Sequence, residues 1–170
     1  MTTDVGAAGV EASAERGPRL LLTEHHREIE VTCQALLSRA YADEPAELID
    51  QYRAFERAIL DHLAAEEEMM LPMYAEAAAG EARALVDDHA ALRRQLFQVG
   101  VEVELHCMRA QTLCVLIDQL RAHAAREDAS MYPWAQAHLP LAAKRRLFVR
   151  IGHSLRRLAR RAEIHLPTLL

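Results

Sequence analysis

The chain lacks most of the features that mark membrane, secreted or disulfide-stapled proteins. No run approaches the ~18 apolar residues that a membrane span needs. The N-terminus has no basic stretch followed by an apolar one, so no secretory signal is expected. Cysteine is limited to Cys33, Cys107 and Cys114, an odd and unpatterned set that excludes a disulfide framework and fits a reducing cytoplasm. With only six Gly, six Pro and few β-branched residues, a composition led by Ala and Leu points to helices. What is present is a hydrophobic fraction of 51% in 170 residues, enough for one domain with a full core. Charged residues at 26% argue against wholesale disorder. The inventory expects a soluble cytoplasmic protein, and its one oddity is nine histidines.

The net charge of −5 is unevenly spread. Residues 144–170 carry +7 and residues 1–143 carry −12. An acidic body is followed by a basic segment.

Residues 1–18 are small, polar and Gly-punctuated, and read as a disordered lead. From Leu20 onward the apolar spacing is helical. The first series is Leu22, His26, Ile29, Cys33, Leu36 and Ala40, broken at Ala42–Pro45. The second is Leu48, Tyr52, Phe55, Ile59, His62, Glu66, Met69 and Met73, with Pro72 near its end and a connection over Ala75–Gly80. Leu85, His89, Leu92, Leu96, Val99, Val103 and His106 form the third. The fourth is Leu113, Leu116, Leu120, His123, Glu127 and Met131, closed by Pro133. These read as an all-α, antiparallel up-down-up-down four-helix bundle over residues 19–135. A further basic helix from Pro140 to about Ala162, within segment 136–170, places Leu147, Ile151, Leu155 and Leu158 on one face. No Gly or Pro announces a turn between the third and fourth series, so a single long helix is equally permitted there by local signals.

Each of the four inward stripes contains one mid-helix histidine: His26, His62, His89 and His123. Two stripes add a glutamate one turn later, Glu66 and Glu127. An i, i+4 pair lies on one helix face, so both side chains can reach one metal or two adjacent ones. Imidazole with carboxylate suits iron, manganese or zinc. Burying six such groups without a cation would be costly. The two segments are also copies: with His62 on His123, Glu66 meets Glu127, Glu67 meets Asp128, Met70 meets Met131 and Pro72 meets Pro133.

A bundle with short turns supplies a geometric check, because residues at one height lie equally far from the turn between them. The His26–His62 midpoint is 44, inside the first break, and the His62–His89 midpoint falls between 75 and 76, in the second connection. The His89–His123 midpoint, 106, locates the otherwise silent third turn. At ~1.5 Å rise per residue, all four histidines sit roughly 25 Å from the bundle end that holds the first and third turns.

The series resembles the hemerythrin-like, or HHE cation-binding, domain. The residues that carry the resemblance are His26 within Glu-His-His-Arg-Glu-Ile, His62 and Glu66 before Leu71-Pro72, His89 within Asp-Asp-His-Ala-Ala-Leu, and His123 and Glu127 before Tyr132-Pro133. The resemblance implies a non-haem di-iron centre, with His26, His62, His89 and His123 as terminal ligands and Glu66 and Glu127 as bridges. Oxygen carriers of the family place a further histidine one turn after the third-helix ligand, where this chain has Arg93. Their last carboxylate lies five residues after its histidine, at Asp128 here, although Glu127 matches the internal repeat better. Four His and two Glu look more like the branch that answers nitric oxide and repairs iron–sulfur centres. Fewer protein ligands leave more positions open to small molecules.

Beside this constellation stand several plainer residues. His25 competes with His26, and the register with Leu22, Ile29 and Cys33 favours His26, leaving His25 facing solvent. His106 shares the third stripe but falls at the far turn, and His138, His153 and His165 lie outside the series. The run Glu66-Glu67-Glu68 reads as a solvated face from which only Glu66 points inward. Tyr52, Phe55, Ile59, Leu92, Leu96, Leu116 and Leu120 read as core, and Cys33 as a small apolar filler. The basic segment has no aromatic interleaving, which argues against nucleic acid and leaves a solvated face or a site for an acidic protein partner.

The sequence therefore expects a di-iron protein that binds, senses or scavenges oxygen, nitric oxide or peroxide, with manganese or zinc as other occupants of the same ligands. Two alternatives stay open: a di-iron enzyme or iron donor in stress defence, and a regulatory protein whose metal state controls what the basic helix binds.

Overall fold

The computed structural model describes residues 18–42 and 45–163. The lead over residues 1–17, Asp43-Glu44 at the first break, and His165 lie outside the described residues. Among the described residues every regular element is a helix: α1 (Pro18–Ala42), α2 (Pro45–Met69), α3 (Leu71–Ala77), α4 (Ala79–Glu104), α5 (Ala110–Ala129), α6 (Met131–His138) and α7 (Leu141–Glu163). The fold is an all-helical bundle. No helix among the described residues is long and apolar enough to cross a membrane.

The silent turn falls at residues 105–109, where the histidine midpoint puts it. His106 takes the left-handed conformation there, with φ 54°, in place of the glycine that such a turn favours. Glu102 replaces the missing turn signal. It accepts the backbone N–H of Arg109 at 3.2 Å, the Arg109 guanidinium at 3.1 Å and the Thr112 hydroxyl at 3.2 Å.

The second connection is more helical than its composition suggests. The chain breaks at Met70, resumes as α3 and breaks again at Ala78, while Gly80 lies inside the first turn of α4. The equivalent break on the fourth series is at Ser130, whose hydroxyl donates to the Arg126 carbonyl at 2.7 Å. Pro72 and Pro133 lack an N–H and cannot continue a helix, yet each sits comfortably in the first turn of a new one. The breaks shift the register, so Met70 and Met131 are fully buried, whereas Met73 is exposed.

The apolar core forms two clusters. One holds Ile29, Cys33, Leu36, Phe55, Ile59, Leu92, Leu96, Leu116 and Leu120, among others. The other holds Leu22, Met70, Leu71, Tyr74, Leu85, Met131, Tyr132 and Leu147, among others. Along α1 and α4 the two sets lie on opposite sides of the histidines, on α2 the change falls between Leu63 and Ala65, and α5 contributes to the first set. Within the first cluster the Tyr52 hydroxyl donates to the Leu96 carbonyl at 2.5 Å. Gly100 permits this approach, since a Cβ there would stand 3.3 Å from the Tyr52 ring.

Helix α7 lies against α1 and α2. Ala143, Leu147, Phe148 and Ile151 are buried, and covering Leu147 and Ile151 contributes about 2 kcal/mol each. Leu155 and Leu158, expected on the same face, lie outside the described side chains. Arg150 pairs with Glu68 on α2.

Candidate metal centre

Between the two apolar clusters lies a layer of polar side chains. His62, Glu66, His89, His123 and Glu127 are buried, and the His26 side chain is 13% exposed. The six come from α1, α2, α4 and α5, and their side-chain atoms converge in two groups. His26, His62 and Glu127 form one, and Glu66, His89, His123 and Glu127 the other, with donor atoms in each within 4.8 Å of one another.

The carboxylates span the two groups. Glu66 turns Oε1 to His62 Nε2 at 3.4 Å and Oε2 to His89 Nε2 at 3.5 Å. Glu127 turns Oε2 to His26 Nε2 at 3.2 Å, and Oε1 to His123 Nε2 at 3.0 Å and His89 Nε2 at 3.7 Å. The i, i+4 spacing on α2 and α5 makes this possible, because each helix presents its histidine and glutamate to one interior level.

Carboxylates stand behind three of the rings, one of them within hydrogen-bond distance. His89 Nδ1 lies 2.9 Å from Glu67, whose two oxygens accept the Arg93 guanidinium at 2.6 and 2.9 Å. His123 Nδ1 lies 3.8 Å from Asp88, itself paired with Arg126 at 3.0 Å. His26 Nδ1 lies 4.0 Å from Asp128, which also accepts the Thr23 hydroxyl at 3.0 Å. A carboxylate behind an imidazole fixes the ring and its tautomer and makes the other nitrogen a better ligand. Arg93 stands where the oxygen carriers' extra histidine would be, and here it clamps Glu67.

Two expectations need correction. Glu67 is not part of a solvated face: it is two-thirds covered and holds His89. His25 does not face solvent. It is fully buried, its ring stacks on His62 with centroids 4.7 Å apart, and neither of its ring nitrogens has a hydrogen-bond partner. Steps from Leu22 through position 25 to Ile29 are as helical as steps through 26, so both rings turn inward and only His26 reaches the carboxylates.

Tyr132 escaped sequence reasoning altogether. It is fully buried at the start of α6, and its hydroxyl oxygen lies 2.6 Å from Glu66 Oε1 and 2.9 Å from Glu127 Oε2. The same oxygen lies 3.0 Å from His26 Nε2 and 3.3 Å from His62 Nε2. The internal repeat held the signal: Tyr132 occupies the position of Leu71, a polar-tipped residue where the copy is apolar.

Electrostatics set these groups apart. Burial, reinforced by the charge of Glu127, pushes Glu66 well above the usual carboxylate range. Burial acts on Glu127 in the same sense, but the surrounding imidazoles of His123, His26, His62 and His89 outweigh it and hold Glu127 well below that range. His62 is lowered to about 4 by burial, and His25 is lowered well below the ordinary imidazole value for the same reason. His26 moves the other way: burial opposes its charge, yet the neighbouring Asp128 and Glu127 carboxylates raise it to about 9. Burial and the two glutamates together push the Tyr132 phenol upward.

The donor set fits a metal. Glu66 Oε2, Glu127 Oε1, His89 Nε2 and His123 Nε2 are buried with no hydrogen-bond partner, although each points at the others. Orphaned acceptors and imidazole nitrogens at one point cost several kcal/mol unless a cation satisfies them. Nitrogen and carboxylate donors are those that iron, manganese and zinc prefer. Beside the centre lies a cavity lined by His26, His62 and His123 together with Ile29, Cys33, Ile59, Leu63 and Leu120. The Arg121–Glu30 ion pair, at 2.5 Å, also borders it. Burial raises the Cys33 thiol to about 12, so Cys33 is an apolar wall and not a nucleophile.

No curated protein and no solved structure matches the chain. The model of the hemerythrin HHE cation-binding domain matches residues 18–135. That span begins at the first residue of α1 and includes every side chain of the two donor groups together with Tyr132. The chain therefore belongs to the hemerythrin HHE cation-binding family.

Proposed function

We propose that the protein holds two irons between His26, His62, Glu66, His89, His123 and Glu127 and uses them to bind, sense or scavenge a small diatomic molecule or peroxide. The carrying observation is the pair of buried carboxylates, each with one oxygen toward His26 or His62 and the other toward His89 or His123. That disposition suits two cations joined by two carboxylates. Bound iron would supply Lewis-acid positions that change charge reversibly. The protein's own residues do the rest. Four histidines cap the pair, Glu67 fixes the His89 ring, Asp88 and Asp128 add negative charge behind His123 and His26, and the two apolar clusters keep bulk water from the layer. The scaffold in this reading is an up-down-up-down bundle of α1, α2, α4 and α5 over residues 19–135, with the basic helix alongside.

The ligand class follows from the cavity. Its walls are aliphatic apart from the three histidines and the Glu30–Arg121 pair, and it reaches both donor groups. Such a passage suits a small, weakly solvated molecule and disfavours a large or multiply charged one.

The test is metal content and the visible spectrum of protein loaded anaerobically with ferrous iron, before and after air or nitric oxide. Two irons per chain and new absorption on exposure are expected. The reading fails if no stoichiometric metal binds and replacing Glu66 and Glu127 with Gln changes nothing.

A further inference from the structure

We propose that the Tyr132 phenol oxygen is a fifth protein ligand of the cation held by His26 and His62, so that the two metal positions are chemically unlike. This rests on the two-metal reading above, and three observations carry it.

The first is donor arithmetic. A phenol has one hydrogen to give, yet the Tyr132 oxygen has four close polar neighbours: Glu66 Oε1 at 2.6 Å, Glu127 Oε2 at 2.9 Å, His26 Nε2 at 3.0 Å and His62 Nε2 at 3.3 Å. One hydroxyl proton cannot serve both carboxylates. Convergence of this kind is what donors show around a shared cation.

The second is spacing. Neighbouring donors at about 2.1 Å from a six-coordinate cation stand about 3 Å apart, and opposite donors about 4.2 Å. The four tyrosine distances lie around the shorter value. So do His26 Nε2 to His62 Nε2, at 3.2 Å, His26 Nε2 to Glu127 Oε2, at 3.2 Å, and His62 Nε2 to Glu66 Oε1, at 3.4 Å. His62 Nε2 to Glu127 Oε2, at 3.9 Å, approaches the longer one. The atoms of Tyr132, His26, His62 and Glu127 are spaced as one coordination shell, which Glu66 Oε1 borders through His62 and Tyr132.

The third is placement. The break at Ser130 starts a new helix whose second residue is Tyr132, and its ring lies against His26 with centroids 5.4 Å apart. The repeat places Leu71 at the equivalent position, within the apolar cluster. The Tyr132 hydroxyl stands beside His26 and His62, and it has no contact with His89 or His123 among the described residues.

Coordination exchanges the O–H bond for an O–metal bond and releases the proton to solvent. The His26 position then has five protein donors and the His89 position four, which leaves the latter more open to an incoming ligand. Hard phenolate favours the ferric state, so the two irons differ in potential.

Resonance Raman spectroscopy of the oxidised iron-loaded protein decides the point, with iron content measured on the same samples. Wild type should show a phenolate-to-iron absorption whose enhanced ring vibrations shift when tyrosine is supplied ring-deuterated. Tyr132→Phe should lose both while keeping two irons per chain. Should that variant not fold, the labelled wild-type spectrum still decides, because Tyr52 and Tyr74 are packed away from the donors and Tyr41 is exposed. Two bound irons without a phenolate signal would overturn the ligation and leave the two-metal reading standing. Absence of bound metal in wild type would overturn both.

Discussion

The segments 62–72 and 123–133 repeat one pattern, and the structure makes two unlike half-sites of them. Both present a histidine and a glutamate to the interior, both follow the glutamate with an acid that backs a histidine on another helix, and both break just before a proline. Glu67 holds His89 and Asp128 faces His26, so each repeat serves the ring of a neighbour. Among their several differences, one falls at the donor layer. Leu71 and Tyr132 both join the apolar cluster, but Tyr132 adds a hydroxyl among the donors. Repetition sets the level and spacing of a site, and one side chain removes its symmetry.

The most severe way to break this comparison is Glu127→Gln, because Glu127 alone belongs to both donor groups. Both metals should be lost, with an affinity decrease greater than the about 10–100-fold typical of removing an outer partner. Elemental analysis after dialysis would show it. His62→Ala and His89→Ala should each remove one metal of the two, and competition with a colorimetric chelator would separate the classes. If either variant loses both at once, the half-sites are not separable.

Glu67→Gln sharpens the contrast at smaller cost. It leaves every proposed ligand in place but removes the carboxylate behind His89 and the partner of Arg93. The His89 position should weaken by about 10–100-fold while the His26 position is unchanged.

The metal-free protein offers a pH test of the same inequality. His26 is raised to about 9, so its contribution to stability is full below the ordinary imidazole range and is lost as pH rises through about 9. His62 is lowered to about 4, so its contribution is present above that range and lost as pH falls toward 4. Urea midpoints of the chelated protein should peak between these limits, and iron should flatten the profile. The smallest effect is a control far from the donors. His106→Gly relieves a left-handed residue and should stabilise by about 1 kcal/mol with no change in metal content.

Much of this was legible in the sequence, for identifiable reasons. Strong 3.6-residue periodicity marks the long helices, and the midpoint of His89 and His123 finds a turn that no Gly or Pro announces. Helices α3 and α6 were illegible because Pro72 and Pro133 read as stops, while a proline in a first turn is equally a start. His25 could not be told from His26 because steps of three and four alternate freely on one face. Glu67 was hidden in an acidic run whose sequence does not say which member meets Arg93. Tyr132 was hidden because a buried aromatic beside a proline has the composition of core.

The polar layer also has a consequence for how the molecule comes apart. It divides the apolar interior into two clusters that share α1, α2 and α4 but are separated by histidines and glutamates. Cooperative unfolding requires the two to sense one another, and across the layer the strongest link is whatever binds the carboxylates and imidazoles of both halves. A tightly held cation pair makes the interior one unit. Without it, the end that carries α3, α6 and α7 is free to open while the far turns stay closed, as a separate unit in hydrogen exchange. The candidate metal centre is in this sense also the joint that makes two cores behave as one.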